Sequence, residues 1–407
     1  MRASAPETPI EPRHRRSAAR RGTGRRWLPL GVAVAVAIVG AGVYSVDQVS
    51  VPEISEPSLL ALIPPTPDVP PVVTAPAGGD GAPAVDPNAV PVVAAAPVAP
   101  PAPVAVAVEE PAPAPAPRRS TGGATGGLPW NSGVVVGKPD EVTSWEDYRG
   151  RSVDVVHAFT TRDSWENIES ASWIMGYYAD FPGELVISQP FWPEDSGGSL
   201  GECAGGAYDS NWANYGRALV DAGRTDAFTR LAWEFNGDWF EWESTDVEAW
   251  KSCFRNVVQA VRSTAPDARF DWNFNAHGSQ SSDGDAWLSY PGDEFVDVIG
   301  IDAYDHYPAS TTAEDFDKQC TDTHGLCTAI DYARGHGKGV GVTEWGVIKS
   351  GAGDNPVYIE KMFETFSNAA DVMEYETYFN EQEFGNALHA PNQNPASSEA
   401  YLSLFGG

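Results

Sequence analysis

Val296-Asp-Val-Ile-Gly-Ile-Asp302-Ala-Tyr304 is an apolar run rich in Val and Ile that ends on an acid and a tyrosine. Val and Ile favour extended backbone. An apolar run with little polar alternation predicts a strand covered on both faces, as in a parallel sheet. Seven further runs of the same kind lie around it: Gly133–Gly137, Val153–Phe159, Glu184–Phe191, Ala227–Glu234, Phe270–Asn275, Gly339–Trp345 and Val372–Phe379. Helical periodicity fills the gaps, over Tyr208–Ala222, Val247–Ser263, Ala313–His336 with an interruption, and Pro356–Ala369, and Asn394–Phe405 closes the series. In Val247–Ser263, Val247, Trp250, Phe254, Val257, Val258 and Val261 recur three or four residues apart and form one apolar stripe. Strands each followed by a crossover helix, eight times in about 280 residues, predict an α/β fold of the (β/α)8 TIM-barrel type. The alternative is an open doubly wound sheet, but no glycine-rich phosphate loop follows the first strand.

In such a barrel chemistry gathers where strands end. The fourth run ends Trp233-Glu234-Phe-Asn236-Gly237, the fifth Asn273-Phe-Asn275, the sixth Asp302-Ala-Tyr304-Asp305-His306-Tyr307, the seventh Thr343-Glu344-Trp345-Gly346 and the eighth Tyr378-Phe379-Asn380. An acid at the end of a buried strand costs desolvation energy, so it has a partner or a task. Glu234 and Glu344, on the fourth and seventh strands, face each other across the barrel mouth. Paired carboxylates cut glycosidic bonds, one protonated and one ionised. Glu234, among Trp233, Phe235, Trp239 and Trp242, is the candidate acid/base. Glu344, within reach of the Tyr304 hydroxyl, is the candidate nucleophile. Carboxyls about 5–5.5 Å apart would give retention, and about 6.5–9.5 Å inversion. The competing reading makes both glutamates structural, salt-bridged to Arg230 and another base.

The 407 residues carry 26 basic and 56 acidic side chains, a net charge of −30, and the imbalance is localised. Residues 1–127 hold 10 of each sign and 23 of the 34 prolines, so residues 128–407 carry the whole excess. A domain this acidic repels polyphosphate, which argues against nucleic acid as partner. Residues 1–26 are Arg-rich, and 27–46 form an uncharged apolar run long enough to cross a membrane. Arginines before it and Asp47 after it predict a cytoplasmic N-terminus and an exported remainder. Two readings stay open: a single-pass signal anchor, or a cleaved signal peptide that leaves a secreted protein. Residues 47–127, rich in Pro and Ala, predict a disordered, extended linker. Residues 128–407 are the catalytic domain, expected outside the cytoplasm and monomeric.

Arg230-Leu-Ala-Trp233-Glu234-Phe-Asn236-Gly237-Asp-Trp239-Phe240-Glu-Trp242 resembles the acid/base motif of glycoside hydrolase family 26, the β-mannanase family of clan A. Val342-Thr-Glu344-Trp345-Gly346 resembles its nucleophile strand, and Tyr290 to Tyr304 its sixth-strand segment. The resemblance implies a (β/α)8 fold, retaining endo-hydrolysis of a β-linked polysaccharide, and no metal or cofactor. One position departs: the family usually places His directly before the acid/base glutamate, where it can contact the sugar 2-hydroxyl, and here it is Trp233. Mannose and glucose differ at that hydroxyl. β-Mannan is the leading substrate within a group of neutral β-glycans.

Sugar rings stack on aromatic faces, so Trp192, Trp239, Trp242 and Trp345, at strand ends or in loops, are candidate platforms, with Trp233, Asn236 and Tyr304 as further substrate contacts. Asn273, Asn275, Asp302 and Asp305 divide between sugar contacts and loop capping. Trp250 and Trp272 read as core, and His306 as the histidine nearest the cleft. Four cysteines in an exported chain predict two disulfides, Cys203–Cys253 and Cys320–Cys327 being the preferred pairing over free thiols. A non-catalytic glycan-binding or cell-wall barrel, or a transglycosylase remodelling envelope glycan, are the alternative functions.

Overall fold

A computed structural model describes residues 126–389 and 391–407. The basic N-terminus, the apolar run 27–46 and nearly all of the Pro/Ala-rich linker lie outside the described residues. Among the described residues no helix is long and apolar enough to cross a membrane.

Eight parallel strands close into a barrel in sequence order: β1 (Asn131–Val135), β2 (Val155–Phe159), β3 (Glu184–Gln189), β4 (Phe228–Leu231), β5 (Arg269–Asn275), β6 (Val298–Tyr304), β7 (Gly339–Gly346) and β8 (Met373–Phe379), with β8 pairing back onto β1. The helices between them are α1 (Pro139–Arg149), α2 (Trp165–Ser170), α3 (Ser172–Tyr177), α4 (Leu200–Ala204), α5 (Asp209–Asp221), α6 (Val247–Arg262), α7 (Ala313–Cys320), α8 (Leu326–His336), α9 (Pro356–Asn368) and α10 (Pro395–Phe405). The closed order excludes the open doubly wound sheet.

Local chemistry starts these helices. Asp246 caps α6 by accepting a hydrogen bond from the Ala249 N–H at 3.0 Å. Pro356 and Pro395 open α9 and α10, where a missing N–H costs nothing. The apolar stripe of α6 is buried from Trp250 to Val261. The interrupted stretch 313–336 is two helices, stapled at the break by Cys320–Cys327, while Cys203–Cys253 ties α4 to α6. Val155, Val186, Phe228, Val298 and Tyr375 form one buried apolar cluster low on their strands. The Arg269–Glu184 ion pair lies at the strand starts beneath it, and Arg230, Asp271, Asn273 and Asp302 lie further along the strands.

Two strands depart from simple extension, and both carry a glutamate. The run Ala227–Glu234 is a strand only to Leu231, because Ala232 (φ 49°) and Glu234 (φ 50°) adopt left-handed backbone. Side chains with a Cβ rarely do so, and such strain concentrates at functional sites. On β7 the pairing slips: Ile301 pairs Val342, but Asp302 pairs Glu344. Thr343 is therefore the extra residue of a bulge. Strict alternation would put Thr343 and Glu344 on opposite faces, whereas here both side chains bond groups inside the barrel.

Candidate active site

Arg230 is the hub. It projects from β4 into the barrel interior and is fully buried. Its Nη1 donates to Glu344 Oε1 at 2.7 Å and to Ser188 Oγ at 3.1 Å. Its Nη2 donates to Asn273 Oδ1 at 3.1 Å and to Asp302 Oδ2. Glu344 Oε2 accepts from the Tyr304 hydroxyl at 2.7 Å. Glu344 thus receives a cationic and a neutral donor, a pair that stabilises carboxylate charge. The ion pair expected by the structural reading therefore exists for Glu344, and its partner is Arg230. Glu234 has no such ion pair. Its Oε2 accepts from Trp239 Nε1 at 3.1 Å, its Oε1 accepts from Asn275 Nδ2, and its own N–H donates to Asn273 Oδ1 at 3.2 Å. Asn273 touches both Arg230 and the Glu234 backbone, and so couples the two glutamates.

One buried cation faces more carboxylates than it can neutralise. Burial, then the charge of Glu344, raises the Glu234 carboxyl to about 7, with Arg230 pulling the other way. Burial likewise raises Asp302 well above its ordinary value. Asp271, deeper on β5, is pushed up to about 6 by burial, although Tyr375 and Thr343 donate to it. Space for Asp271 comes from Gly300, where a Cβ would lie 1.9 Å from Asp271 Oδ1. Arg230 is held protonated by the surrounding acids despite its burial. Burial and then Arg230 keep His157 neutral, its ring nitrogens engaged with Ser188 Oγ and the Thr343 carbonyl. The result is one carboxylate braced by donors and one carboxyl poised near neutrality.

The other residues picked from sequence divide sharply. Trp239 is half-buried at the mouth with its indole N–H on Glu234. Tyr304 is in the site through Glu344. Trp192, Trp233, Trp242 and Trp345 are each at most 2 % exposed, so none offers an open face to a sugar ring. This corrects the platform reading of Trp192, Trp242 and Trp345 and the substrate contact expected of Trp233. Trp345 points away from the barrel interior, against Phe366, Tyr378, Tyr401 and Phe405. Trp233 packs among Phe159, Phe240 and Trp242, with the Arg162 and Arg230 guanidinium groups over it. Trp192 lies on Phe191 and Tyr208, and its N–H reaches Glu241. Asn236 is also corrected. Its amide spans the backbone of Asn275 and Gly278, which pins the loop after β5 and leaves nothing for sugar. Asn275 and Asn273 take the site roles instead.

Asp302 pairs with Arg230, and Asp305 caps a loop by accepting from the Ser310 N–H and the Asn355 amide. Trp250 and Trp272 are core. Sequence reading missed Ser188, Thr343 and Asp271. Arg230 carried a signal, a charge inside an apolar strand run, yet nothing marked it as the centre of the network. A cavity of about 860 Å³ opens at the opposite end, among Asn131, Asp154 and Glu184 at the strand starts, away from both glutamates.

Fold and site together define a parallel (β/α)8 barrel with a paired-glutamate centre at the C-terminal strand ends. Residues 210–340 match the model of Glycosyl hydrolase family 26, a segment that includes Glu234 and stops just short of Glu344. Mannan endo-1,4-β-mannosidase of Bifidobacterium adolescentis is 27% identical over 239 residues, 55% of this chain and 23% of that protein. Endoglucanase H of Acetivibrio thermocellus is 26% identical over 189 residues, 43% of this chain and 20% of that protein. The chain thus spans under a quarter of the length of these curated relatives. A modular endo-β-1,4-mannanase from Cellulomonas fimi superposes with a TM-score of 0.51 at 18% identity, covering 68% of this chain and 70% of that one. At that identity the likeness is one of fold.

Proposed function

We propose that this protein is an exported, endo-acting, retaining β-glycosidase that hydrolyses a neutral β-linked polysaccharide of the β-mannan type, with Glu234 as acid/base and Glu344 as nucleophile. The observation that carries the reading is the opposite setting of the two glutamates. Glu344 is braced as a carboxylate by Arg230 and Tyr304, whereas Glu234 is raised to about 7 by burial and by the charge of Glu344. The family match and the mannosidase relative support the class of bond.

In the first step Glu344 attacks the anomeric carbon while Glu234 gives its proton to the departing glycosidic oxygen. Bond formation neutralises Glu344. The charge that helped hold the proton on Glu234 is then gone, so Glu234 becomes the stronger acid and can work as a base toward water at the same pH. Water then attacks the anomeric carbon, Glu234 takes its proton, and Glu344 leaves as carboxylate between its two donors. Trp233, being buried, reads no 2-hydroxyl. Trp239 and Asn275, which hold Glu234, are the groups beside the reacting ring.

Export is supported by the two disulfides, which persist in oxidising compartments. The test is incubation with β-mannan, β-glucan and xylan, following new reducing ends and the anomer first formed. New β-anomeric ends from mannan are expected. No product on any glycan, with binding intact, would favour the non-catalytic barrel instead.

A further inference from the structure

Among the described residues the exposed large aromatics are Tyr177, 59% exposed, and Tyr307, 66% exposed. Tyr177 belongs to the end of the barrel opposite the glutamates, where it lines the cavity among the strand starts. Tyr307 stands three residues beyond the end of β6, on the face that holds Glu234 and Glu344. An exposed aromatic plane at the mouth of a site offers a face on which a sugar ring can stack.

The ring is held out by its surroundings. Tyr307 adopts left-handed backbone with φ 54°, a conformation that costs a bulky residue energy and that functional sites retain. The segment before it is clamped. Asp305 accepts from the Ser310 N–H at 2.6 Å and from the Asn355 amide at 2.8 Å. Gly351 lies against the same segment so closely that a Cβ there would be 1.6 Å from the Asp305 carbonyl oxygen. Three rings form a row leading outward. Tyr304, whose hydroxyl holds Glu344, is edge-on to His306 at 6.0 Å between centroids, and His306 lies 4.4 Å from the Tyr307 ring. Burial lowers the His306 imidazole to about 4, so the ring between the two tyrosines carries no charge near neutrality and suits a neutral ligand.

We propose that Tyr307 is a stacking platform that binds one pyranose ring of a β-linked glycan chain outside the cleavage point, on the Tyr304–Glu344 side of the mouth. The identity of the ligand rests on the proposed function; the platform itself does not require hydrolysis. With Trp239 on Glu234 and Tyr307 at the outer end of the Tyr304–His306 row, the mouth then has an accessible aromatic on each side. A C–H face stacking on the ring needs the aromatic plane and not the hydroxyl.

The test is calorimetric titration of the full-length Glu344→Gln protein with β-1,4-mannohexaose and with β-1,4-glucohexaose, compared with the same protein carrying Tyr307→Ala or Tyr307→Phe. Tyr307→Ala is expected to weaken the better ligand about 10-fold, equivalent to about 1.4 kcal/mol, and Tyr307→Phe less than about twofold. Unchanged melting temperatures would show that the exposed ring is not structural. With Glu344 intact, Tyr307→Ala should raise KM on polymer with kcat nearly unchanged. Equal weakening by both substitutions, no weakening by Tyr307→Ala, or a parent that binds neither hexaose would each overturn the platform. Binding that depends on Tyr307, in a protein that releases no product from any glycan, would keep the platform and refute the hydrolase.

Discussion

Glu234 and Glu344 carry the same functional group, and their surroundings alone separate the roles proposed for them. Glu344→Ala is expected to remove at least about 10⁴-fold of kcat on every substrate, because no covalent intermediate can form. Glu234→Gln should cost about 10²–10⁴-fold on natural glycans. On aryl glycosides with good leaving groups the first step needs no proton, so bond cleavage there should be largely spared, and stopped-flow release of the aryl group reads it. The wild-type rate should fall as pH rises through about 7, where Glu234 loses its proton. Glu344→Gln should move the Glu234 titration to lower pH, as followed by NMR of labelled glutamate, since the Glu344 charge helps to raise it. The same raised carboxyl costs stability. Below its ordinary value of 4.5 both folded and unfolded chains hold the proton; between there and about 7 only the folded one does. Stability therefore declines across that window, and Glu234→Gln should stabilise the fold above it. The glutamates stand out in the sequence because an acid is conspicuous at the end of an apolar strand. The facing of the tryptophans does not show there: Trp345 sits next to Glu344 in the chain, yet it packs outward into the helical layer.

At the scale of elements, all eight strands are legible, most of them as apolar runs because burial on both faces leaves a continuous signal, while β5 and β8 interleave Asp271, Asn273, Glu374 and Glu376 among their aromatics. Their ends are not. The left-handed turns at Ala232 and Glu234 and the bulge at Thr343 are set by contacts across the barrel, which no local propensity reports. Yet these irregularities aim both glutamates. The helices α1 to α4 escaped the reading, although the cysteine of α4 did not. Replacing Cys203 and Cys253 together by Ser should lower unfolding free energy by about 2–4 kcal/mol in denaturant titration, since their loop of about 50 residues joins α4 to α6. A smaller loss is expected for Cys320–Cys327, which closes a short loop. Arg230 lies on β4 but serves β5, β6 and β7 as well. Arg230→Met should destabilise the protein by about 3–5 kcal/mol, because it strands buried carboxylates without their cation.

For the whole molecule, the closed barrel follows from counting strand–helix repeats, and the charge asymmetry from composition. The acidic excess lies in residues 128–407, the same span that supplies the barrel and both glutamates. That charge disfavours anionic polymers and selects no particular sugar. Under the proposed anchor, cell fractionation should find the protein in the membrane pellet, with residues 128–407 released by external protease treatment of intact cells; recovery in the soluble cytoplasmic fraction would contradict export. The central claim is that the barrel performs double displacement through Glu344. A 2-deoxy-2-fluoro β-mannobiosyl fluoride tests it directly, because the fluorine slows breakdown of the glycosyl-enzyme while the fluoride leaving group lets it form. Peptide mass spectrometry should find one sugar per chain, on Glu344. Turnover without any adduct, or an adduct on another residue, would contradict the account.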